Sequence, residues 1–134
     1  MHPPARVLIV EDESITALAL ARQLRRLGYQ VVALAHNGPQ AIERALALRP
    51  QVVLMDIRLQ GPMDGVEAAR HIQAAAPIPV VYVSAHTDAA TVERLHAATR
   101  VAGVVSKPVH LPTLHAILQR VCAPPEARPP NGSR

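Results

Sequence analysis

The sequence predicts an α/β protein built on a doubly wound, five-stranded parallel sheet with helices on both faces. Short apolar runs alternate along the chain with segments of helical periodicity, which is the pattern of repeated strand and helix units. The runs are continuously apolar, as in strands that are buried on both faces. The chain has 134 residues, of which 49% are hydrophobic and 18% charged, and this length and balance are typical of one globular domain.

The first half of the chain holds two strand and helix units. Residues 7–10 form a short apolar run, and apolar residues then recur at helical spacing over 14–27. A second apolar run covers 31–35, and Pro39 can begin a helix that Pro50 ends. The positions expected to share the apolar faces are Ala17, Leu20, Leu24 and Leu27 in the first helix and Ala41, Ala45 and Leu48 in the second.

Three further units complete the predicted sheet. Their strands are expected at residues 52–55, 80–83 and 102–105, each followed by a segment of helical periodicity. Strands joined through helices run parallel, with right-handed crossovers. The helices are predicted over about residues 64–76, 88–99 and 111–121, with Val66, Ala69, Ile72, Val92, Leu95, Leu111, Leu114, Leu118 and Val121 at their apolar positions.

Composition argues against a nucleic-acid partner. The chain has no Phe or Trp and only two Tyr, so it lacks the aromatic side chains on which nucleic-acid bases usually stack. The formal charge is +4, but the arginines are scattered along the chain and no DNA-binding motif accompanies them. A solvated basic surface is the better interpretation.

The chain also lacks the signals of secretion and membrane insertion. Cys122 is the single cysteine, so no internal disulfide can form, and the apolar run before Glu11 is too short for a signal peptide or a membrane span. We therefore expect a cytoplasmic protein with no membrane contact. Its folded domain is expected at residues 5–122, after an N-terminal extension at 1–4 and before a flexible, proline-rich tail at 123–134.

Polar residues stand where the predicted strands end. Glu11 and Asp12 follow the first strand, Asp56 follows the third, Ser84 the fourth and Lys107 the fifth. Because the carboxyl ends of parallel strands share one edge of the sheet, we expect these side chains to converge. Three neighbouring carboxylates repel one another unless a cation compensates, and Mg²⁺ prefers oxygen ligands.

This set suits phosphoryl transfer. Asp56 could act as a nucleophile toward phosphorus, while Mg²⁺ and Lys107 neutralise the transferred oxygens and Ser84 donates a hydrogen bond to one of them. Taken singly, each acid is more often a helix cap or a solvated loop residue, Lys107 a surface lysine and Ser84 a turn residue. The complete set in this order is far more specific than its members.

The chain resembles the receiver domain of two-component response regulators over about residues 5–122. The segments that carry the resemblance are 7–13 (VLIVEDE), 53–59 (VLMDIRL), 63–65 (MDG), 83–85 (VSA) and 106–108 (SKP). It implies a flavodoxin-like receiver fold and a Mg²⁺ site, for which Mn²⁺ could substitute. The roles that it implies are metal binding by Glu11, Asp12, Asp56 and the Arg58 carbonyl, phosphoacceptor for Asp56, switch hydroxyl for Ser84, and phosphoryl contact for Lys107, which should precede a cis peptide bond to Pro108.

The same resemblance gives three more positions a possible functional role. Arg58 and His86 lie where receivers tune the hydrolysis of the aspartyl phosphate, although a surface arginine and a solvated loop histidine are equally good interpretations. Receivers commonly carry an aromatic residue three positions before the lysine, and here that position is Val104. The usual coupling through an aromatic ring cannot operate in that form, so the route of the signal is open.

Two functional hypotheses follow. The first is a stand-alone receiver that takes its phosphoryl group from a sensor histidine kinase or a histidine phosphotransfer protein. It would signal by contact with a downstream protein not identified by the sequence, and the resemblance also allows a homodimer that forms on phosphorylation. Such a domain accepts and loses its own phosphoryl group and is not a turnover enzyme. The second hypothesis, motivated by Val104, is a docking or dimerisation module that works without phosphorylation.

Two enzyme classes fit less well. A phosphatase of the haloacid-dehalogenase kind usually has a second acid two residues after the nucleophile, where this chain has Arg58. A dinucleotide-binding domain needs a glycine-rich loop after the first strand, and that segment contains no glycine.

Overall fold

Five parallel strands alternate with five helices over residues 3–123, the part of the chain that the computed structural model describes. The predicted α/β class is confirmed, and each predicted strand and helix is present. The expected extension at residues 1–4 lies partly outside the described residues, and the expected tail lies almost wholly outside them. The strands are β1 (Arg6–Val10), β2 (Gln30–Ala35), β3 (Val52–Met55), β4 (Val80–Ser84) and β5 (Val101–Ser106). The helices are α1 (Ser14–Arg26), α2 (Gly38–Leu48), α3 (Gly65–Ala75), α4 (Ala89–Ala98) and α5 (Leu111–Val121).

The sheet has the strand order β2-β1-β3-β4-β5, and all neighbouring strands are parallel. Ala21 of α1 and Leu118 of α5 belong to one buried cluster, so these two helices cover the same face. On the opposite face α2, α3 and α4 bury Ala45, Ile72 and Leu95 in a second cluster. The chain therefore adds strands to one side of β1 and then to the other, which opens a crevice at the carboxyl ends of β1 and β3.

Side-chain caps set the start of three helices. Asn37, Asp64 and Asp88 each accept a hydrogen bond from the backbone N–H three residues later. The helices predicted to start at residues 64 and 88 therefore begin one residue later, because Asp64 and Asp88 are caps in extended conformation. Asp64 and Asp88 thereby stabilise the first turns of α3 and α4, next to the loops that follow β3 and β4.

The predicted apolar positions are buried or half-buried, with two exceptions. Ala17, Leu24 and Ala41 are fully buried, whereas the side chains of Leu27 and Leu48 are 39% and 37% exposed. Both leucines lie at the C-terminal end of a helix, where fewer neighbouring elements cover a side chain.

Within residues 3–123, no helix is long and apolar enough to cross a bilayer.

Candidate functional site

Asp56 lies at the floor of the crevice, one residue beyond β3. Its side chain is held at both oxygens, since Oδ1 accepts the backbone N–H of Arg58 at 3.1 Å and Oδ2 accepts the Lys107 ammonium at 2.8 Å. The residue is only 7% exposed. Its own N–H donates to the Val10 carbonyl at 3.1 Å, so Asp56 continues the pairing of β3 with β1. The sheet therefore fixes the backbone of Asp56, and Arg58 and Lys107 fix its carboxylate.

The close approach of α3 explains a glycine beside Asp56. The N–H of Gly65 donates to the Ile57 carbonyl at 2.7 Å, which brings the start of α3 against the backbone of Asp56. A Cβ at position 65 would overlap the carbonyl oxygen of Asp56. Glycine is therefore a steric requirement of the segment that carries the carboxylate.

Glu11 is the most constrained acid of the site. It is 5% exposed, and its Oε1 contacts the Lys107 ammonium at 2.6 Å. Its Oε2 accepts the N–H of Glu13 at 3.2 Å, and its own N–H donates to the Ala35 carbonyl at 2.9 Å. Backbone pairing and side-chain contacts thus fix the end of β1 in the same way as the end of β3.

Lys107 joins the two buried acids. Its backbone N–H donates to the Ser84 carbonyl at 2.9 Å, and the predicted cis peptide bond to Pro108 is confirmed. Burial alone would lower the pKa of the ammonium, but hydrogen bonds and charge from Asp56 and Glu11 together raise this pKa above its ordinary value. The lysine is therefore cationic and spans from β5 to the ends of β1 and β3.

Asp12 completes an acidic cluster. One carboxylate oxygen from each of Glu11, Asp12 and Asp56 lies within 4.8 Å of the other two. Burial raises the pKa of Asp12, and its hydrogen bond and repulsion with Glu11 raise it further. One ammonium faces three carboxylates, so negative charge is left in excess at a site of hard oxygen donors. This donor set fits Mg²⁺, whose ligands are carboxylates, carbonyls and water.

Ser84 reaches the same edge of the sheet but is engaged elsewhere. It is the last residue of β4 and is 1% exposed, and its Oγ accepts the N–H of His86 at 3.1 Å. Among residues 3–123, no hydrogen bond joins its hydroxyl to Asp56 or to Lys107. The structure therefore brings Ser84 to the rim of the site without a direct link to the acids.

The remaining predicted positions differ in exposure. Arg58 and His86 are exposed on the loops after β3 and β4. Val104 is half-buried, pairs with Tyr82 in the β4 and β5 register, and packs against the core of the α2, α3 and α4 face. The aromatic ring in this part of the fold belongs to Tyr82, which is fully buried and whose hydroxyl hydrogen-bonds Thr99 Oγ1 at 2.8 Å.

Two residues that hold this region together were not predicted from the sequence. His36 directly follows β2 and places its Nδ1 2.9 Å from the Glu11 carbonyl oxygen. Its position at the carboxyl end of a strand was a usable signal. Arg94 of α4 pairs with the cap residue Asp64 at 3.2 Å and so ties α4 to the loop after β3. Nothing in the local sequence indicated that pair, because 30 residues separate its members.

Comparison with known proteins supports the resemblance. Residues 7–119 match the family model of the response regulator receiver domain. A transcriptional regulatory protein from Mycobacterium tuberculosis, PdtaR, is 37% identical over 102 residues, which cover 76% of this chain and 49% of that protein. The chain thus spans about half the length of this curated relative. It also matches protein-glutamate methylesterases, and it spans a smaller share of their length.

Solved structures agree in fold. The signal receiver domain of a modulated diguanylate cyclase from Desulfovibrio desulfuricans G20 superposes with a TM-score of 0.81 at 36% identity, covering 89% of this chain and 94% of that one. The receiver domain of a Pseudomonas aeruginosa PAO1 sensor histidine kinase has a TM-score of 0.80 at 31% identity, covering 90% and 99%. That structure contains a magnesium ion coordinated in the active-site cleft.

Proposed function

Because this chain belongs to the response regulator receiver family, whose members are the phosphoacceptor domains of two-component signalling, we propose that Asp56 is its phosphoacceptor. The observation that carries the proposal is the double contact of Lys107, at 2.8 Å from Asp56 and 2.6 Å from Glu11, inside the acidic cluster. A half-buried lysine held between two buried carboxylates places positive charge beside the carboxylate that would react.

The donor that we propose is a phosphohistidine on a sensor histidine kinase or a histidine phosphotransfer protein. In the step, a carboxylate oxygen of Asp56 forms a bond to phosphorus while the bond between phosphorus and the histidine nitrogen breaks. The leaving nitrogen keeps the electron pair and takes up a proton. Lys107, already in contact with Asp56, offsets negative charge on the transferred oxygens. Later hydrolysis returns the carboxylate and releases phosphate.

The metal that the site would hold is Mg²⁺, with Mn²⁺ as a substitute. We propose Glu11, Asp12, Asp56 and the Arg58 carbonyl as its ligands, either directly or through water. Bound there, it would offset the charge of the acids and of the phosphoryl oxygens. The cluster geometry of the three acids supports this assignment.

We assign secondary roles to three residues at the rim. The Ser84 Oγ accepts the His86 N–H and keeps its own hydrogen, which it would donate to a phosphoryl oxygen. The exposed side chains of Arg58 and His86 lie on the two loops that border Asp56 and would control access of the hydrolytic water. None of these roles makes the domain a turnover enzyme.

The output would be protein contact. A receiver spanning residues 5–122 offers a surface whose shape depends on phosphorylation, and a downstream protein or a second copy of the chain would recognise it. A cytoplasmic location follows from this scheme, because the kinases and phosphotransfer proteins of two-component systems phosphorylate their receivers there.

The test is phosphorylation by a small-molecule donor. With Mg²⁺ and acetyl phosphate, mass spectrometry should show one added phosphoryl group that hydroxylamine removes. Asp56→Asn should abolish the adduct. Asp88→Asn is the matched control, because Asp88 caps α4 and asparagine caps a helix equally well. An adduct that persists in Asp56→Asn, or none in the unaltered protein, would refute the assignment.

The alternative of a phosphorylation-independent docking module makes a different prediction. Such a module would bind Mg²⁺ weakly or not at all, and any binding would not depend on Asp12 or Asp56. Titration calorimetry on the unaltered protein, Asp12→Asn and Asp56→Asn distinguishes the two functions. The intact acidic cluster favours the phosphoacceptor.

A further inference from the structure

We propose that His36 is a positioning residue for the magnesium site, because its imidazole holds the backbone of the acidic pair. This inference rests on the proposed function. The His36 Nδ1 lies 2.9 Å from the Glu11 carbonyl oxygen. A carbonyl can only accept a hydrogen bond, so Nδ1 carries the hydrogen and donates it. The ring thus forms a directed bond from the end of β2 to the end of β1.

This bond completes the restraint of Glu11. The N–H of Glu11 donates to Ala35, its Oε1 contacts Lys107, and its Oε2 accepts the N–H of Glu13. The carbonyl is the remaining polar group, and His36 is its partner. Each polar group of Glu11 is therefore engaged, and the carbonyl is held by a side chain instead of by the sheet.

The restraint on the Glu11 carbonyl also restrains the position of Asp12. The peptide unit between Glu11 and Asp12 is planar, so a fixed carbonyl direction also fixes where the Asp12 backbone begins. Lys107 forms ion pairs with Glu11 and Asp56, and among residues 3–123 it forms none with Asp12. Beyond its own contact with Glu11, Asp12 therefore depends on its backbone for its place in the cluster, and His36 is the side chain that sets the preceding peptide plane.

The backbone of His36 is supported from α2. Its main-chain N–H donates to Gln40 Oε1 at 2.9 Å, and the N–H of Gln40 donates to the Asn37 side chain at 2.9 Å. The Arg44 guanidinium donates to the same Gln40 oxygen at 3.3 Å and to the Leu34 carbonyl. These contacts tie the His36 backbone to the first turns of α2 and so fix the point from which its ring extends. Side chains that orient metal ligands from outside the coordination sphere are a common feature of metal sites in proteins.

The test compares substitutions that keep or lose a donor at the Nδ1 position. In His36→Asn the side-chain amide reaches that position, whereas in His36→Gln it extends to the Nε2 position, and His36→Leu has no donor. Calorimetric titration with Mg²⁺ should show affinity about tenfold weaker for the leucine and glutamine variants and close to the unaltered value for asparagine. His71→Leu, on the exposed face of α3, is the matched control and should bind normally.

A second readout needs no metal. In the metal-free protein, the amide NMR signals of Asp12 should shift in His36→Gln and His36→Leu and stay in place in His36→Asn. Unchanged Mg²⁺ affinity and unchanged Asp12 signals in His36→Gln would overturn the inference, as would equal losses in the asparagine and glutamine variants. Failure of the proposed function is seen separately, as an unaltered protein that neither binds Mg²⁺ nor accepts a phosphoryl group.

Discussion

Removing the charge of Asp12 should stabilise the metal-free protein and destabilise its magnesium complex relative to the unaltered protein. Asp12→Asn keeps the shape of the side chain. Asp12 repels two carboxylates, those of Glu11 and Asp56, and is attracted by one ammonium, that of Lys107, so about one repulsive pair remains. At 4.8 Å, the upper limit of the separations in the cluster, one such pair costs about 1 kcal/mol in water and about 3.5 kcal/mol at an effective dielectric constant of about 20.

The lower value applies, because Asp12 is only partly buried and solvent screens its charge. Urea unfolding followed by circular dichroism in EDTA should therefore show Asp12→Asn more stable by about 1 kcal/mol. With free Mg²⁺ at about 100 times the dissociation constant, the unaltered protein should gain about 2.7 kcal/mol. The variant should gain much less, so the order of stability reverses.

Asp88→Asn serves again as the control and should follow the unaltered protein in both conditions. A lower stability of Asp12→Asn in EDTA would show that the cluster is not repulsive. Equal stabilisation of both proteins by Mg²⁺ would show that Asp12 is not a ligand.

Three stability predictions test the packing that holds the site, each by urea unfolding. Gly65→Ala should cost about 2 kcal/mol, because its Cβ would overlap the Asp56 carbonyl, and an unchanged midpoint would contradict that close approach. Tyr82→Phe should cost about 1 kcal/mol through the lost hydrogen bond to Thr99, and no loss would mean that the bond is not formed in solution. Leu118→Ala should cost about 2–5 kcal/mol by leaving a cavity between α5 and the sheet, whereas a loss below about 1 kcal/mol would contradict its full burial.

The fold was predictable because its strands and helices repeat one simple pattern. Four continuous apolar residues at 7–10 can be buried on both faces only in the middle of a sheet, and the structure places them in β1, between β2 and β3. Helical spacing does not predict burial correctly at the ends of helices. Leu27 and Leu48 keep the helical spacing but lie where the covering elements end, which periodicity alone cannot show.

The site was predictable to the extent that it consists of strand ends. Glu11, Asp12 and Asp56 were expected at one edge of the sheet because the strands were predicted to be parallel, and the structure brings them together because β1 and β3 are neighbours. The contact of Lys107 with both buried acids depends on side-chain conformations and could not be read from spacing. The bond of His36 to a backbone carbonyl was missed for the same reason.

Val104 departs from the aromatic residue that receivers usually have at this position, and the structure shows which residues surround it. The sequence shows that the usual aromatic position on the fifth strand is aliphatic. In the fold, Val104 lies beside Tyr82 of the neighbouring strand, and Tyr82 hydrogen-bonds Thr99 at the C-terminal end of α4. A link between this part of the sheet and α4 is therefore present, but it starts from β4 and not from β5.

The most direct test of the proposed phosphoacceptor site is chemical identification of the residue that becomes phosphorylated. The protein would be incubated with acetyl phosphate, reduced with borohydride to trap the aspartyl phosphate, digested, and sequenced by mass spectrometry. We expect modification at Asp56 when Mg²⁺ is present and its loss when EDTA replaces the metal. Modification at another residue, or equal modification in EDTA, would contradict the claim that the acidic cluster and Lys107 form a magnesium-dependent phosphoacceptor site.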